Sequence, residues 1–553
     1  MVKNKLISSL EKVFPDEKID EFDTIKSLSV LKGERFSFQL IHTNEAEEFQ
    51  WSRYYKVEIK GALAPFATAR DVSCVPVTKP INPHLCDDNH LRTTPGVYPD
   101  VLMPLHYRGR ITTSYDILKS VWIEVDLPED APAGDYEIEI DLIGEEGDSY
   151  THTLKVEIID AVLPEQTLKY TDWFHCDCLA DYYELEMWSE EHWRVTENFM
   201  RAAKRAGVNL ILTPVFTPAL DTARGAERRT TQLVGIKLDK GEYSFDFSLL
   251  ERWIELCNKI GIKYFEICHF FTQWGAEHAP KVMATVDGEY KRIFGWKTEA
   301  SGEEYSNFIR TFIVKFLEFM KARGDDGRCF FHISDEPNER NEQSYAKAKA
   351  VVADLLKGYP IMDAISDYKY YENGLVETPI PINNKIKPFI EHGTEGLWTY
   401  FACNQSVGVA NRFLSMPLWR ARSLGMQMYK YNIVGFLHWG FNFYNNRLSG
   451  DPINPYINQD GDDWVPAGDM FIVYPAPKGE VYESIRVPVF YDGLQDMRAM
   501  SLCEKYYPKE EIIAGMEKIL GSPIEFDKCA RSAKEMLAVR EYINTLIKNA
   551  TKK

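Results

Sequence analysis

Between residues 168 and 439 eight short apolar runs alternate with longer stretches, six of which carry apolar residues at helical spacing. Runs of four to eight residues rich in Val, Ile and aromatic side chains read as buried strands. Strands are expected at 168–175, 209–214, 264–269, 330–335, 361–366, 379–382, 397–401 and 433–439, with helices near 190–206, 247–260, 303–323, 344–356, 385–392 and 411–430. Alternating strands and helices imply a parallel sheet, and eight such pairs predict a (β/α)8 TIM-like barrel.

The flanks differ. Segments 34–41, 55–59, 120–125, 136–142 and 153–158 alternate apolar and polar residues, and Ala131-Pro132-Ala133-Gly134-Asp135 marks a turn. Short strands punctuated by Gly and Pro predict an N-terminal antiparallel β-sandwich. Leu163-Pro164-Glu165 reads as a linker, and 508–519 and 530–547 as helices packed on the barrel. The expected organisation is a multidomain α/β chain: β-sandwich over 1–164, barrel over 165–500 and a helical C-terminal segment over 501–553.

A net charge of −19 argues against nucleic acid, which binds cationic surfaces. No run approaches the ~18 apolar residues of a membrane span. The N-terminus has neither an apolar h-region nor a small-residue cleavage site, so a cytoplasmic protein is expected. Cys257, Cys268 and Cys329 fall in apolar runs and read as free core thiols. Phosphate loop, HExxH and nucleophile-elbow motifs are all missing, and no cofactor is expected. Asp460, Asp462, Asp463 and Asp469 lack EF-hand spacing and read as a solvated loop, so no metal is expected.

The fourth strand carries the chemistry. Phe330-Phe331-His332-Ile333-Ser334 runs into Asp335-Glu336-Pro337. Pro337 cannot extend a regular strand, so the strand ends at or just before the two acids. Acids at the C-terminal tip of a barrel strand occupy the position of catalytic groups; the bland alternative is that one of them caps the next helix. The other expected tips bring Asp172, Trp173 and His175, then His269 and Trp274, then Asp367 and Tyr368, then Trp398 and Tyr400, then His438, Trp439, Asn442 and Tyr444. Carboxylates among aromatic rings and amides suit a carbohydrate, whose faces stack on rings while polar tips bind its hydroxyls.

Most glycosidases flank the scissile bond with two opposed carboxylates. Here the seventh and eighth strands supply Trp-Thr-Tyr and His-Trp-Gly, with no acid. An adjacent pair fits the substrate-assisted exception, in which the sugar's 2-acetamido oxygen is the nucleophile. Glu336 then acts as acid and base, and Asp335 orients the acetamido N–H and stabilises the oxazolinium charge. Two alternatives stay open: a glycosidase of other specificity using Asp172 or Glu266 as nucleophile, and a non-catalytic glycan-binding protein.

The ordered set His332-Ile333-Ser334-Asp335-Glu336-Pro337, Leu397-Trp398-Thr399-Tyr400, His438-Trp439-Gly440-Phe441-Asn442, Gly468-Asp469 before Tyr474-Pro475, Ser484-Ile485-Arg486 and Asp492-Gly493-Leu494-Gln495-Asp496 resembles glycoside hydrolase family 123. The resemblance covers roughly 165–500. It implies an exo-acting, retaining β-N-acetylgalactosaminidase, with Asp335 orienting the acetamide and Glu336 as acid/base. Trp398, Tyr400 and Trp439 fall where such enzymes line the sugar pocket, and Tyr400 or Tyr368 is the donor to the acetamido carbonyl. The substrate-binding set expected from tips and resemblance together is Trp173, His175, His269, Tyr368, Trp398, Tyr400, His438, Trp439, Asn442 and Tyr444. The expected partner is a glycan with a terminal N-acetylhexosamine.

Overall fold

The computed structural model describes residues 2–45, 51–106, 109–337 and 340–552. Two five-stranded sheets form the N-terminal part. The first runs Val2–Ser8, Arg35–Asn44, Lys119–Asp126, Ala67–Val77, Gly96–Pro104, antiparallel throughout. The second runs Ser27–Lys32, Ser149–Val162, Gly134–Gly144, Arg53–Lys60, Arg110–Thr113. Phe38, Leu40 and Ile123 of the first sheet share one core with Ile138, Leu154 and Val156 of the second. The expected antiparallel pattern fails at one pair: Ser27–Lys32 lies parallel to Ser149–Val162. The long chain between them supplies the crossover that a parallel pair needs. Gly96–Pro104, interrupted by prolines, sits at a sheet edge, where a missing N–H costs no ladder bond.

Eight short parallel strands follow: β1 (Lys169–Asp172), β2 (Leu210–Thr213), β3 (Tyr264–Ile267), β4 (Cys329–Phe331), β5 (Met362–Ala364), β6 (Thr378–Ile380), β7 (Trp398–Tyr400) and β8 (Gly435–His438). Ladders join β2 to β3, β3 to β4, β5 to β6, β7 to β8 and β8 to β1. Single bridges join β4 to β5 (Phe331 to Ile361) and β6 to β7 (Ile382 to Tyr400). Between β1 and β2, Asn209 N–H donates to Tyr170 O (3.1 Å) and Asn209 Oδ1 accepts from Tyr170 N (2.8 Å). Helices Glu190–Arg205, Ser248–Ile260, Glu303–Arg323, Glu342–Val352, Lys387–Glu391 and Leu418–Lys430 lie between the strands. Two hairpins, Gly235–Asp239 with Glu242–Asp246 and Val282–Val286 with Glu289–Phe294, join into a four-stranded sheet from the loops after β2 and β3.

Helix Arg486–Cys503, which the sequence reading left unassigned, packs on Leu418–Lys430. A Cβ at Gly425 would lie 2.1 Å from Gly493 O, so only glycine allows this approach. Helices Lys509–Leu520 and Ala533–Thr551 were expected on the strand–helix unit. They share a core with Trp419 and Met426 of that unit and also with Leu31, Trp122 and Ile159 of the N-terminal sheets. Arg540 fixes that junction by bonding Glu34 (2.6 Å) and Asp496 (3.0 Å). Among the described residues, no helix is long and apolar enough to cross a membrane.

Candidate active site

β4 stops at Phe331, four residues before Asp335 and earlier than the expected end at the acids themselves. The reason is local: the Ile333 N–H donates to the Asp363 carboxylate (3.1 Å) rather than to a neighbouring strand. The chain then runs beside the loop after β3, where Phe270, Phe271 and Trp274 N–H groups donate to His332, Ile333 and Asp335 carbonyls. Glu336 takes a left-handed backbone (φ +43°). Side chains alternate along a regular strand, and this break removes that constraint from the adjacent acids.

The two carboxylates differ in surroundings. Asp335 is half-buried, and its carboxylate accepts no hydrogen bond from a described residue. Burial raises its pKa well above the usual carboxylate range, and the charges of Glu336 and Asp221 add to that. Glu336 is exposed, and its Oε1 accepts from the Tyr400 hydroxyl at 2.6 Å. Its second oxygen accepts no hydrogen bond from a described residue. Glu336, Trp274, Tyr368 and Tyr400 line one cleft of about 1010 Å³.

The layer beneath is saturated. His332 is clamped between Glu266 Oε1 (2.7 Å) and Asp363 Oδ1 (3.1 Å). Burial alone would lower its pKa, but those two carboxylates lift it to about 9. Glu266 also accepts from Trp173 Nε1 (2.8 Å) and from the Thr171 hydroxyl. Asp172 is bound by Arg412 (2.6 Å) and the Tyr170 hydroxyl (3.1 Å). Burial opposes its charge, yet Arg412 holds its pKa at about 2. Neither Asp172 nor Glu266 is free to attack a sugar. His269, His332 and Asp363 bring ligand atoms within 4.8 Å of one another. His332 already spends both ring nitrogens on carboxylates, whereas His269 Nδ1 is buried with no hydrogen-bond partner among the described residues.

The expected substrate-binding residues fall into three positions. Tyr368, Tyr400 and Trp439 reach the open side. Tyr368 lines the cleft stacked on His392 (4.4 Å between centroids), and Trp439 is half-buried with Nε1 bonded to Asp469 (2.9 Å). Trp173, His175, His269, His438 and Asn442 form the buried support. His175 accepts from Arg228 (3.1 Å) and donates to Trp439 O (2.9 Å); burial and Arg228 lower its pKa to about 4, so it is neutral. His438 Nδ1 accepts from Arg412 (2.6 Å) and Gly440 N–H (3.1 Å), which leaves its proton on Nε2, 3.3 Å from Asp469. Asn442 exchanges two hydrogen bonds with the His175 backbone (2.9 and 3.1 Å), and His269 stacks on His332 (4.2 Å).

Trp398 and Tyr444 belong to the core, not to the site. Trp398 starts β7, and its ring lies over Gly435 and against Phe330 at the strand beginnings. Tyr444 is buried and donates to Val473 O (2.8 Å).

The sequence reading overlooked Asp221, which lies well beyond β2. Its φ is +47°, its N–H donates to Gln273 Oε1 (2.5 Å), and Ser449 donates to its carbonyl (2.7 Å). Burial, offset by Arg228 and reinforced by Glu336 and Asp469, raises its pKa to about 7. The acidic 460s do not converge: Asp460 caps the turn through Lys79 and Asp463 N–H groups (2.9 Å each), while Asp469 is buried under Trp439. Arg486 and Asp492–Asp496 make structural contacts. Arg486 grips Asp100 of the N-terminal sheets (2.8 and 2.7 Å), and Gln495 bonds the Arg35 backbone (2.8 and 2.6 Å).

The family model described as glycoside hydrolase 123, catalytic domain, matches residues 173–503, a span that includes Asp221, Asp335, Glu336 and Tyr400. The chain belongs to glycoside hydrolase family 123. It is therefore a glycoside hydrolase, as the sequence resemblance implied. A family 123 glycoside hydrolase from Clostridium perfringens, solved in a study of glycolipid glycan hydrolysis, superposes with a TM-score of 0.74 at 15% identity, over 100% of this chain and 98% of that one. A family 5 xyloglucanase from Bacteroides ovatus superposes far more loosely, with a TM-score of 0.29 at 8% identity, over 85% of this chain and 98% of that one. A comparison with curated proteins found no match.

Proposed function

We propose that this family 123 enzyme is an exo-acting, retaining β-N-acetylgalactosaminidase that uses the substrate's own acetamido group as nucleophile. The eight strands are read as a (β/α)8 barrel with the cleft at its C-terminal end. One observation carries the mechanism: the Asp335 carboxylate, unpartnered among the described residues, is adjacent to Glu336, while Asp172 and Glu266 are fully bonded. Glu336 donates a proton to the glycosidic oxygen while Tyr400 holds its other oxygen. As the acetamido oxygen closes on the anomeric carbon, Asp335 accepts the amide N–H and balances the oxazolinium charge. Water, deprotonated by Glu336, then opens the ring with retention. The Clostridium relative's link to glycolipid glycans supports a glycoconjugate as the natural substrate.

The test compares nitrophenyl β-N-acetylgalactosaminide, β-N-acetylglucosaminide and β-galactoside side by side. Turnover of the first, with none of the β-galactoside, is expected. Comparable turnover of the β-galactoside sinks acetamido participation, and faster turnover of the glucosaminide sinks the galacto assignment.

A further inference from the structure

Trp274 is 45% exposed, and of the large apolar side chains it is the one Trp in the cleft beside Glu336 that opens to this extent among the described residues. Its backbone is left-handed (φ +59°), a conformation that costs a bulky residue energy and needs the surroundings to hold it. Three bonds do so. Its N–H donates to Asp335 O (2.7 Å), its carbonyl accepts from Asn341 Nδ2 (2.5 Å), and the next carbonyl, of Gly275, accepts from Ser344 (2.6 Å). The first ties the Trp274 backbone directly to that of the catalytic pair. At about 1010 Å³ the cleft lies at the upper end of small-ligand sites (~300–1,000 Å³), with room beyond a single ring. Exposure rises from half-buried Asp335, which faces the acetamido group, to exposed Glu336 and Trp274, so the departing half of the substrate lies outward.

Building on the proposed function, we propose that Trp274 is the platform of a leaving-group subsite, on which the pyranose ring following the scissile bond stacks its C–H face. A flat indole presents the apolar surface such a face needs. The subsite makes the enzyme selective for saccharide leaving groups over small alkyl ones.

The test compares kcat and KM on a β-N-acetylgalactosaminide with a galactose leaving group and on its methyl glycoside, for wild type, Trp274→Ala and Trp274→Phe, each checked for an unchanged melt. In Trp274→Ala the loss of kcat/KM on the disaccharide should exceed that on the methyl glycoside by on the order of 10-fold, mainly through KM, and Phe should restore most of it. Equal losses on both substrates, or no loss on the disaccharide, overturn the subsite. A second arm uses Glu336→Gln, where turnover is removed: the disaccharide should change indole fluorescence, the methyl glycoside should not, and Trp274→Phe should abolish the change. Absence of turnover in wild type rejects the catalytic reading alone, and the fluorescence arm still decides the platform.

Discussion

Two sets of acids meet at the ends of the parallel strands, and they are built oppositely. Asp172, Glu266 and Asp363 are fully buried and each accepts several hydrogen bonds from Arg, His, Tyr, Thr or Trp. Asp335 and Asp221 are half-buried and Glu336 is exposed, and among the described residues their carboxylates share one hydrogen bond, from Tyr400. Buried carboxylates must be satisfied or they destabilise the fold. Unsatisfied ones near solvent are held ready for a ligand. Residue type alone does not separate structure from chemistry here; the number of committed partners does.

The largest effects fall on the open set. Glu336→Gln should lower kcat by roughly 10²–10⁴-fold with little change in melting temperature, because no fold contact is lost. Asp335→Asn should cost roughly 10²–10³-fold on acetamido substrates. Substitution in the saturated set should show the reverse pattern, and so should the outer buried pair: Arg486→Ala strands Asp100 without its guanidinium and should destabilise the fold by about 3–5 kcal/mol in denaturant titration. A stable, inactive Arg486→Ala enzyme would break the distinction.

That distinction was only partly legible in the sequence. Asp335 and Glu336 stood out because two acids and a proline end an apolar run. The run itself misled about length: 330–335 reads as strand, but the ladder covers only Cys329–Phe331 because Asp363 takes the next N–H. Trp398 looked like a tip residue because β7 is three residues long, too short for pattern to tell its start from its end. Asp221 has no local signature. It reaches the site because Gln273, far along the chain, pins its backbone. The eight-fold alternation was readable because each element carries its own periodicity, whereas the committed partners of each acid come from other strands.

Tyr400 connects the two sets, since its buried ring reaches up to the exposed acid. Tyr400→Phe removes one charge-assisted hydrogen bond to Glu336, worth about 1.5–3 kcal/mol in general, and should lower kcat/KM by roughly 10–100-fold. An unchanged rate would mean that the bond is released when substrate binds.

The smallest effect is the most diagnostic, because it reads the open set as one electrostatic unit. Asp335 must be ionised to balance the oxazolinium charge, and burial together with the negative charges of Glu336 and Asp221 raises its pKa. The acid limb of kcat/KM should therefore lie above the usual carboxylate range. A negative neighbour favours the protonated form, so neutralising it favours the ionised form at lower pH. Asp221→Asn should move the acid limb of kcat/KM downward by a few tenths of a pH unit, up to about one, with the alkaline limb displaced less. Raising ionic strength should shrink the wild-type shift little, since buried and partly buried charges are screened far less than exposed ones. An upward or absent displacement would mean that Asp221 and Asp335 do not sense one another, and that the open carboxylates act singly rather than as a set.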